Sequence, residues 1–244
     1  MKTSACYAAL LALALCLPAQ AGTLTAYTNN FDDPATTAAG VIAEMNTGGY
    51  VVAFPLTVNS YGDWDGKRLF NITRDASVFT LSNLPTHTGI SASFILGFLG
   101  SWDSLDGDTG LAPDYLDVLL DGAFAARLTY NNVSGTVKET GGGTVLAEYD
   151  TSFCCAGFPQ TIVDMSTAGF LTFAHTASTF TLSIQAGGAG FTGGSDEEWG
   201  LDGLRINLTG AAVPEPATWS LMIAGFGLVG GSLRRRRAAG CLAV

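Results

Sequence analysis

The chain is 244 residues long and carries a formal net charge of −10. That acidity repels nucleic acid and anionic lipid and suits divalent cations or neutral glycans, and no basic patch interleaved with aromatics supports nucleic-acid binding. Its five cysteines lack the regular spacing of a disulfide framework.

At the start of the chain, Lys2 and the apolar run from Tyr7 to Leu17 have the layout of an export leader. Ala19-Gln20-Ala21 satisfies the small-x-small cleavage rule. Signal peptidase is therefore the first expected partner, with residues 1–21 removed and Gly22 as the mature start. Leu15 before Cys16 is too large for a lipoprotein signal. From Gly22 to Val213 six basic residues face twenty acidic ones, a net of −14, so arginines further on mask the acidity of the exported part. This span suits one domain of sandwich size. It retains only Cys154 and Cys155, and a disulfide between neighbours is strained. A vicinal bridge in a turn, two locally packed thiols, an intermolecular bond and a metal site all stay open.

Short apolar stretches separated by Gly, Asn, Asp and Ser clusters argue for an all-β domain. One short helix is expected over Pro34 to Met45, capped by Asp33 with Pro34 in its first turn. Strands are expected over Tyr50 to Val58, Val78 to Leu81, Ile90 to Leu99, Tyr115 to Leu120 and Phe124 to Tyr130. Val145 to Tyr149, Phe170 to Thr176, Phe180 to Ile184 and Leu204 to Leu208 follow. Alternation puts Ala92, Phe94, Leu96 and Phe98 on one face, and Leu116, Val118 and Leu120 toward the core. Nine or ten strands on this count predict two packed antiparallel sheets, a β-sandwich of jelly-roll or galactose-binding-like type.

Two acidic constellations invite a hard cation. Ser101 to Gly110 carries Asp103, Asp106 and Asp108 in an oxygen-rich loop of the kind calcium needs, without the spacing of an EF-hand; a solvated turn whose aspartates cap their own backbone is the alternative. Ser195 to Ile206 holds an acidic loop, Trp199-Gly200 and then Asp202 before an apolar strand. By alternation Asp202 shares a face with Leu204 and Ile206 and is partly buried, so it needs a cation or a base such as Arg74 or Arg127 beside it. This stretch resembles the closing strand of galactose-binding-like and MAM-type modules. The resemblance implies a structural calcium on Asp202 together with Asp32, which stands after the first strand. Trp64, Trp102 and Trp199 form a sugar-stacking platform or else fill the core. For catalysis the inventory is poor. His87 and His175 lie far apart, no nucleophile, zinc or phosphate-loop motif occurs, and the glycine-rich runs Gly188 to Gly193 and Gly225 to Gly230 lack the context of a dinucleotide site.

After a spacer at residues 210–213 comes Pro214-Glu215-Pro216-Ala217-Thr218-Trp219, an uncharged run to Leu233, and Arg234, Arg235, Arg236 and Arg237. A bilayer needs roughly 20 apolar residues, so this helix spans it only if Ala217 and Thr218 enter and the arginines snorkel. Arginine resists translocation, which leaves residues 238–244 cytoplasmic. The order of parts resembles the PEP-CTERM sorting signal, in its Trp-containing subtype, also known as an ice-binding protein C-terminal domain. The resemblance implies an exosortase, a membrane-embedded protease-transpeptidase, as partner. The expected protein is therefore anchored in the inner membrane, processed, and released to the cell surface or matrix. Residues 22–209 would act as a structural or adhesive, calcium-stabilised, glycan-binding ectodomain without catalysis, with an extracellular polysaccharide hydrolase as the alternative.

Overall fold

In a computed structural model, residues 21–53, 61, 63–103, 112–132, 138–150, 160–194, 196–212 and 223–229 are described. Period-two patterning builds β1 (Ala21–Asn29), β2 (Thr36–Thr37), β3 (Ile42–Thr47), β4 (Tyr50–Ala53), β5 (Lys67–Asn71), β6 (Ser77–Ser82) and β7 (Gly89–Gly100). It continues with β8 (Tyr115–Leu120), β9 (Ala123–Leu128), β10 (Thr144–Asp150), β11 (Gln160–Asp164), β12 (Thr172–Ala174), β13 (Thr179–Gly187) and β14 (Glu197–Ala212). They form two antiparallel sheets. The larger runs β10-β11-β7-β14-β1-β2, with β12 on β7 and the β4–β5 hairpin on β14; the smaller runs β3-β6-β13-β8-β9.

One face of each sheet supplies the main core. Phe94, Leu96 and Phe98 of β7 and Leu201, Leu204 and Ile206 of β14 meet Phe79, Val118, Leu182 and Ile184 of the smaller sheet. Each such side chain contributes on the order of 1.5–3 kcal/mol when fully buried. A second apolar cluster of Trp64, Phe70, Ile95, Leu99 and Ile162 covers part of the opposite face of the larger sheet. Gly97 and Gly200 are paired across β7 and β14. A Cβ on either would lie 2.5 or 2.8 Å from Cη2 of Trp64. The glycine pair is the slot into which that ring lies.

The segment read as a helix over Pro34 to Met45 is instead β2, a turn at residues 39–40, and β3. Gly40 adopts φ +82°, outside the helical region, and β3 pairs with β6 from Ile42↔Ser82 to Thr47↔Ser77. Asp33 caps nothing there; its N–H donates to Oδ1 of Asn30 at 3.2 Å. The strand expected over Phe170 to Thr176 shrinks to β12 because Gly169–Leu171 forms a 3-10 turn. Of Tyr50 to Val58, β4 covers the first four residues, and residues 54–58 lie outside the described ones.

Thr23–Ala211 makes one compact unit. Outside it, residues 223–229 are helical. No helix among the described residues is long and apolar enough to cross a membrane. The expected spanning segment, Pro214, Glu215, Pro216, Trp219 and the four arginines lie mostly outside the described residues, as do residues 1–20, Asp106, Asp108, Cys154 and Cys155.

Candidate functional site

β14 is not a regular strand. Leu201 pairs with Leu96 and Asp202 with Ile95, but Arg205 pairs with Ser93. One extra residue is inserted, and Gly203, at φ +59°, absorbs it as a β-bulge. The bulge reverses the side-chain parity, so Asp202 lies on the face opposite Leu204 and Ile206. There it meets Arg68 of β5, whose Nε is 4.0 Å away, rather than Arg74 or Arg127. Oδ1 of Asp202 accepts the Gly203 N–H at 2.7 Å and Oδ2 accepts the Asp65 N–H at 3.2 Å. Burial pushes the Asp202 carboxyl up to about 8, outweighing those hydrogen bonds and the guanidinium, which act downward. Burial also lowers Arg68, against the pull of Asp202, Asp65 and Asp32. The Trp64 ring lies 4.6 Å from the Arg68 guanidinium carbon, a cation–π contact that closes the pocket. Oδ1 of Asp32 accepts the Lys67 N–H at 2.9 Å.

At the far end of β7 a second group of acids gathers. Asp114 is buried and takes the Asp103 N–H on Oδ2 at 3.2 Å. Thr129 and Asn131 hold the two backbones, through Thr129 Oγ1 to the Asp114 carbonyl and Asn131 Nδ2 to the Asp103 carbonyl. Glu197 accepts the backbone N–H groups of Thr192 and Gly193 on Oε2, at 2.6 and 3.1 Å. Burial first, and then the negative Glu197 beside it, push Asp114 up to about 7. Burial, Glu197 and Asp196 raise Asp103 in the same direction. Among the described residues no three His, Cys, Asp or Glu side chains are grouped so as to hold one metal ion.

Trp64, Trp102 and Trp199 are fully buried, which corrects the expected stacking platform: none offers a ring face to a sugar. Trp102 packs edge-on against Phe98 at 5.0 Å and donates its indole N–H to the Glu198 carbonyl at 2.7 Å. The histidines, distant in sequence, meet. His87 Nδ1–H donates to the Pro85 carbonyl at 2.6 Å, and its Nε2 shares a hydrogen bond with His175 Nδ1 at 2.7 Å. Nε2 of His175 lies 3.2 Å from Oδ2 of Asp121. The sequence gives no sign of this pairing, because it joins the loop before β7 to the loop after β12.

Sequence reasoning also missed Asp63. It sits over Gly203, where a Cβ would come within 2.7 Å of its own, and it divides two open clefts. One, of about 340 Å³, is lined by Asn29, Asn30, Asp33, Thr36, Arg205 and Asp63 itself. The other, of about 270 Å³, is lined by Asp63, Ser93, Ile95, Leu146, Asp164 and Ser166. Both lie along the bulge, the larger with mostly polar walls and the smaller about half apolar. An Asp-Gly step inside an apolar strand is the one local signal that points to such a bulge.

Residues 212–237 match the PEP-CTERM protein-sorting motif. The chain is thus of the exosortase-sorted class, exported and processed at the membrane. Ahead of the motif in the chain comes the acidic two-sheet domain. No curated protein matches the chain. Among solved structures it is similar to a family 35 carbohydrate-binding module from Clostridium thermocellum, at 7% identity and a TM-score of 0.33, over 69% of this chain and 98% of that one. It is similar to a GH26-CBM35 β-(1,4)-mannanase of Podospora anserina at 16% identity and a TM-score of 0.31, over 80% and 29% of the respective chains. A family GH115 4-O-methyl-α-glucuronidase, BtGH115A, specific for decorated arabinogalactans matches at 16% identity and a TM-score of 0.33, over 66% and 17%. The chain spans less than a third of the length of either enzyme. At these scores the likeness carries no argument about ligand or activity.

Proposed function

We propose that the exported domain binds neutral extracellular polysaccharide along the two clefts divided by Asp63, and that it does so without turnover. The observation that supports this is the cleft pair itself. Carboxylates of Asp33 and Asp63, amides of Asn29 and Asn30 and the Arg205 guanidinium share the larger cleft. Planar groups of this kind pair with adjacent hydroxyls, while Ile95 and Leu146 give the smaller cleft an apolar strip. The larger cleft falls within the ~300–1,000 Å³ of ordinary ligand sites. A net of −14 over the exported span disfavours anionic glycans and favours neutral ones.

The test is native electrophoresis of the full, detergent-solubilised chain through gels containing neutral polysaccharides, with reducing ends assayed in parallel. The expected result is retardation by at least one glycan, a retardation lowered about tenfold in Asp63→Ala with an unchanged melting temperature, and no reducing ends. Equal retardation of Asp63→Ala would remove the cleft from the proposal. Release of reducing ends would favour the hydrolase instead.

A further inference from the structure

Asp103 and Asp114 are buried acids that neither the sorting signal nor the clefts use. Asp114 is 0% exposed and Asp103 9%. On each, Oδ1 has no hydrogen-bond partner. The charged groups acting on them are one another, Glu197 and Asp196, all acids, and Glu197 is itself buried. A buried carboxylate oxygen without a donor is costly, and neighbouring acids make it more so. Asp202 is as deeply buried, yet two N–H donors and Arg68 serve it. No base does the same for the Asp103–Asp114 pair among the described residues.

We infer that Asp103 and Asp114 bind a hard divalent cation, calcium, through their open Oδ1 atoms. Among the described residues the surroundings supply oxygen and no nitrogen or sulfur ligand, which selects calcium over transition metals. Gly190 belongs to the arrangement. A Cβ there would lie 2.6 Å from Asp114 Oδ1 and 2.1 Å from the Ala112 carbonyl oxygen, so the missing side chain lets a neutral oxygen stand near the carboxylate. Two carboxylates completed by neutral oxygens and water make a weak site, of the ~10⁻⁴–10⁻³ M class found in extracellular modules. The ion ties the end of β7 to the start of β8. This inference is independent of glycan binding.

The test uses the full chain in detergent, with terbium as the probe. Trp102, adjacent to Asp103, sensitises terbium bound there, and millimolar calcium displaces it. The expected result is calcium-displaceable emission in the parent chain and in Asp202→Asn, lost in Asp103→Asn and Asp114→Asn. Melting in calcium at ten times its Kd, compared with chelator, should rise by about 3–6 °C. Emission that survives both substitutions would mean that the ion sits elsewhere on the acidic surface. Absence of displaceable emission and of any melting shift in the parent chain would likewise overturn the site. Gly190→Ala, which leaves both carboxylates in place, should weaken calcium tenfold or more if Asp114→Asn fails to fold; unchanged calcium affinity in Gly190→Ala would count against the arrangement.

Discussion

The glycine slot beneath Trp64 gives a quantitative test of how the larger sheet is covered. In Gly97→Ala the new Cβ would stand 2.5 Å from Cη2 and 2.8 Å from Cζ2 of Trp64, well inside van der Waals contact. The ring is fully buried, with Gly200 on the adjacent strand under the same ring, so it has little room to retreat. Overpacking of this kind costs ~1–3 kcal/mol, which for a domain of this size lowers the melting temperature by about 2–12 °C. Trp64→Phe removes the two clashing atoms. Its own cost comes from lost burial, but in that background Gly97→Ala should cost less than ~1 kcal/mol. The four proteins of the cycle are compared by urea unfolding of the full chain in detergent, followed by circular dichroism so that loss of an indole does not bias the signal. A coupling of about 1 kcal/mol or more is expected between sites in direct contact. Gly169→Ala, with nothing within 4 Å of the added atom, is the control. An equal penalty for Gly97→Ala in both backgrounds would refute the slot as the reason for this glycine.

Two further outcomes follow from the sorting signal and the buried acid. Glu215→Ala or Pro216→Ala should leave full-length protein in the inner membrane, read by intact mass of the membrane fraction. Unchanged mature mass and release would contradict processing at that motif. For Asp202, burial raises the folded carboxyl from 3.8 to about 8. Between these values the folded chain keeps a proton that the unfolded chain loses, so its contribution to stability is present below about pH 4 and is lost as pH rises toward 8. The slope from this group is at most ~1.4 kcal/mol per pH unit. Asp202→Asn should flatten the fall between pH 5 and 8 in urea unfolding; an unchanged slope would show that the carboxyl is ionised throughout.

The parts of the fold most legible in the sequence are those with an apolar residue at every second position. Ala92, Phe94, Leu96 and Phe98 read correctly as one core face of β7, as did Leu116 and Val118 of β8, whereas the burial of Ile95 and Leu99 on the other face of β7 was not read from the sequence. β5 and β11 escaped for the opposite reason. Arg68, Asn71, Gln160 and Thr161 are buried polar residues, so neither strand alternates apolar with polar in the sequence, and only their partners make the burial tolerable. The helix expected over Pro34 to Met45 rested on a good capping signal, which lost to strand pairing with β6. The sorting signal is a local motif and needed no tertiary context. The tryptophans did need it, since an indole beside an acidic loop looks the same in sequence whether it lies on the rim or, like Trp102, under it.

The bulge at Gly203 shows how one inserted residue settles the chemistry of two acidic groups. Without it, alternation would carry Asp202 to the side of Leu204 and Ile206, into the main core, where a carboxylate would have needed a cation. With it, Asp202 faces the outer cluster, where β5 delivers Arg68 and the segment around Trp64 seals both from water. The same displacement exposes Arg205 in the larger cleft and opens the space over Gly203 that Asp63 fills. The basic residues of the exported span are engaged with other groups: Arg68 with Asp202, Arg127 with Asp117 and Lys138 with Glu148. Arg74 donates to the Phe191 carbonyl, and Arg205 lines the cleft. Lys67 begins β5, its backbone N–H on Asp32. A domain this acid-rich runs out of bases before it runs out of buried carboxylates, and Asp103 and Asp114 are the pair left to a metal ion.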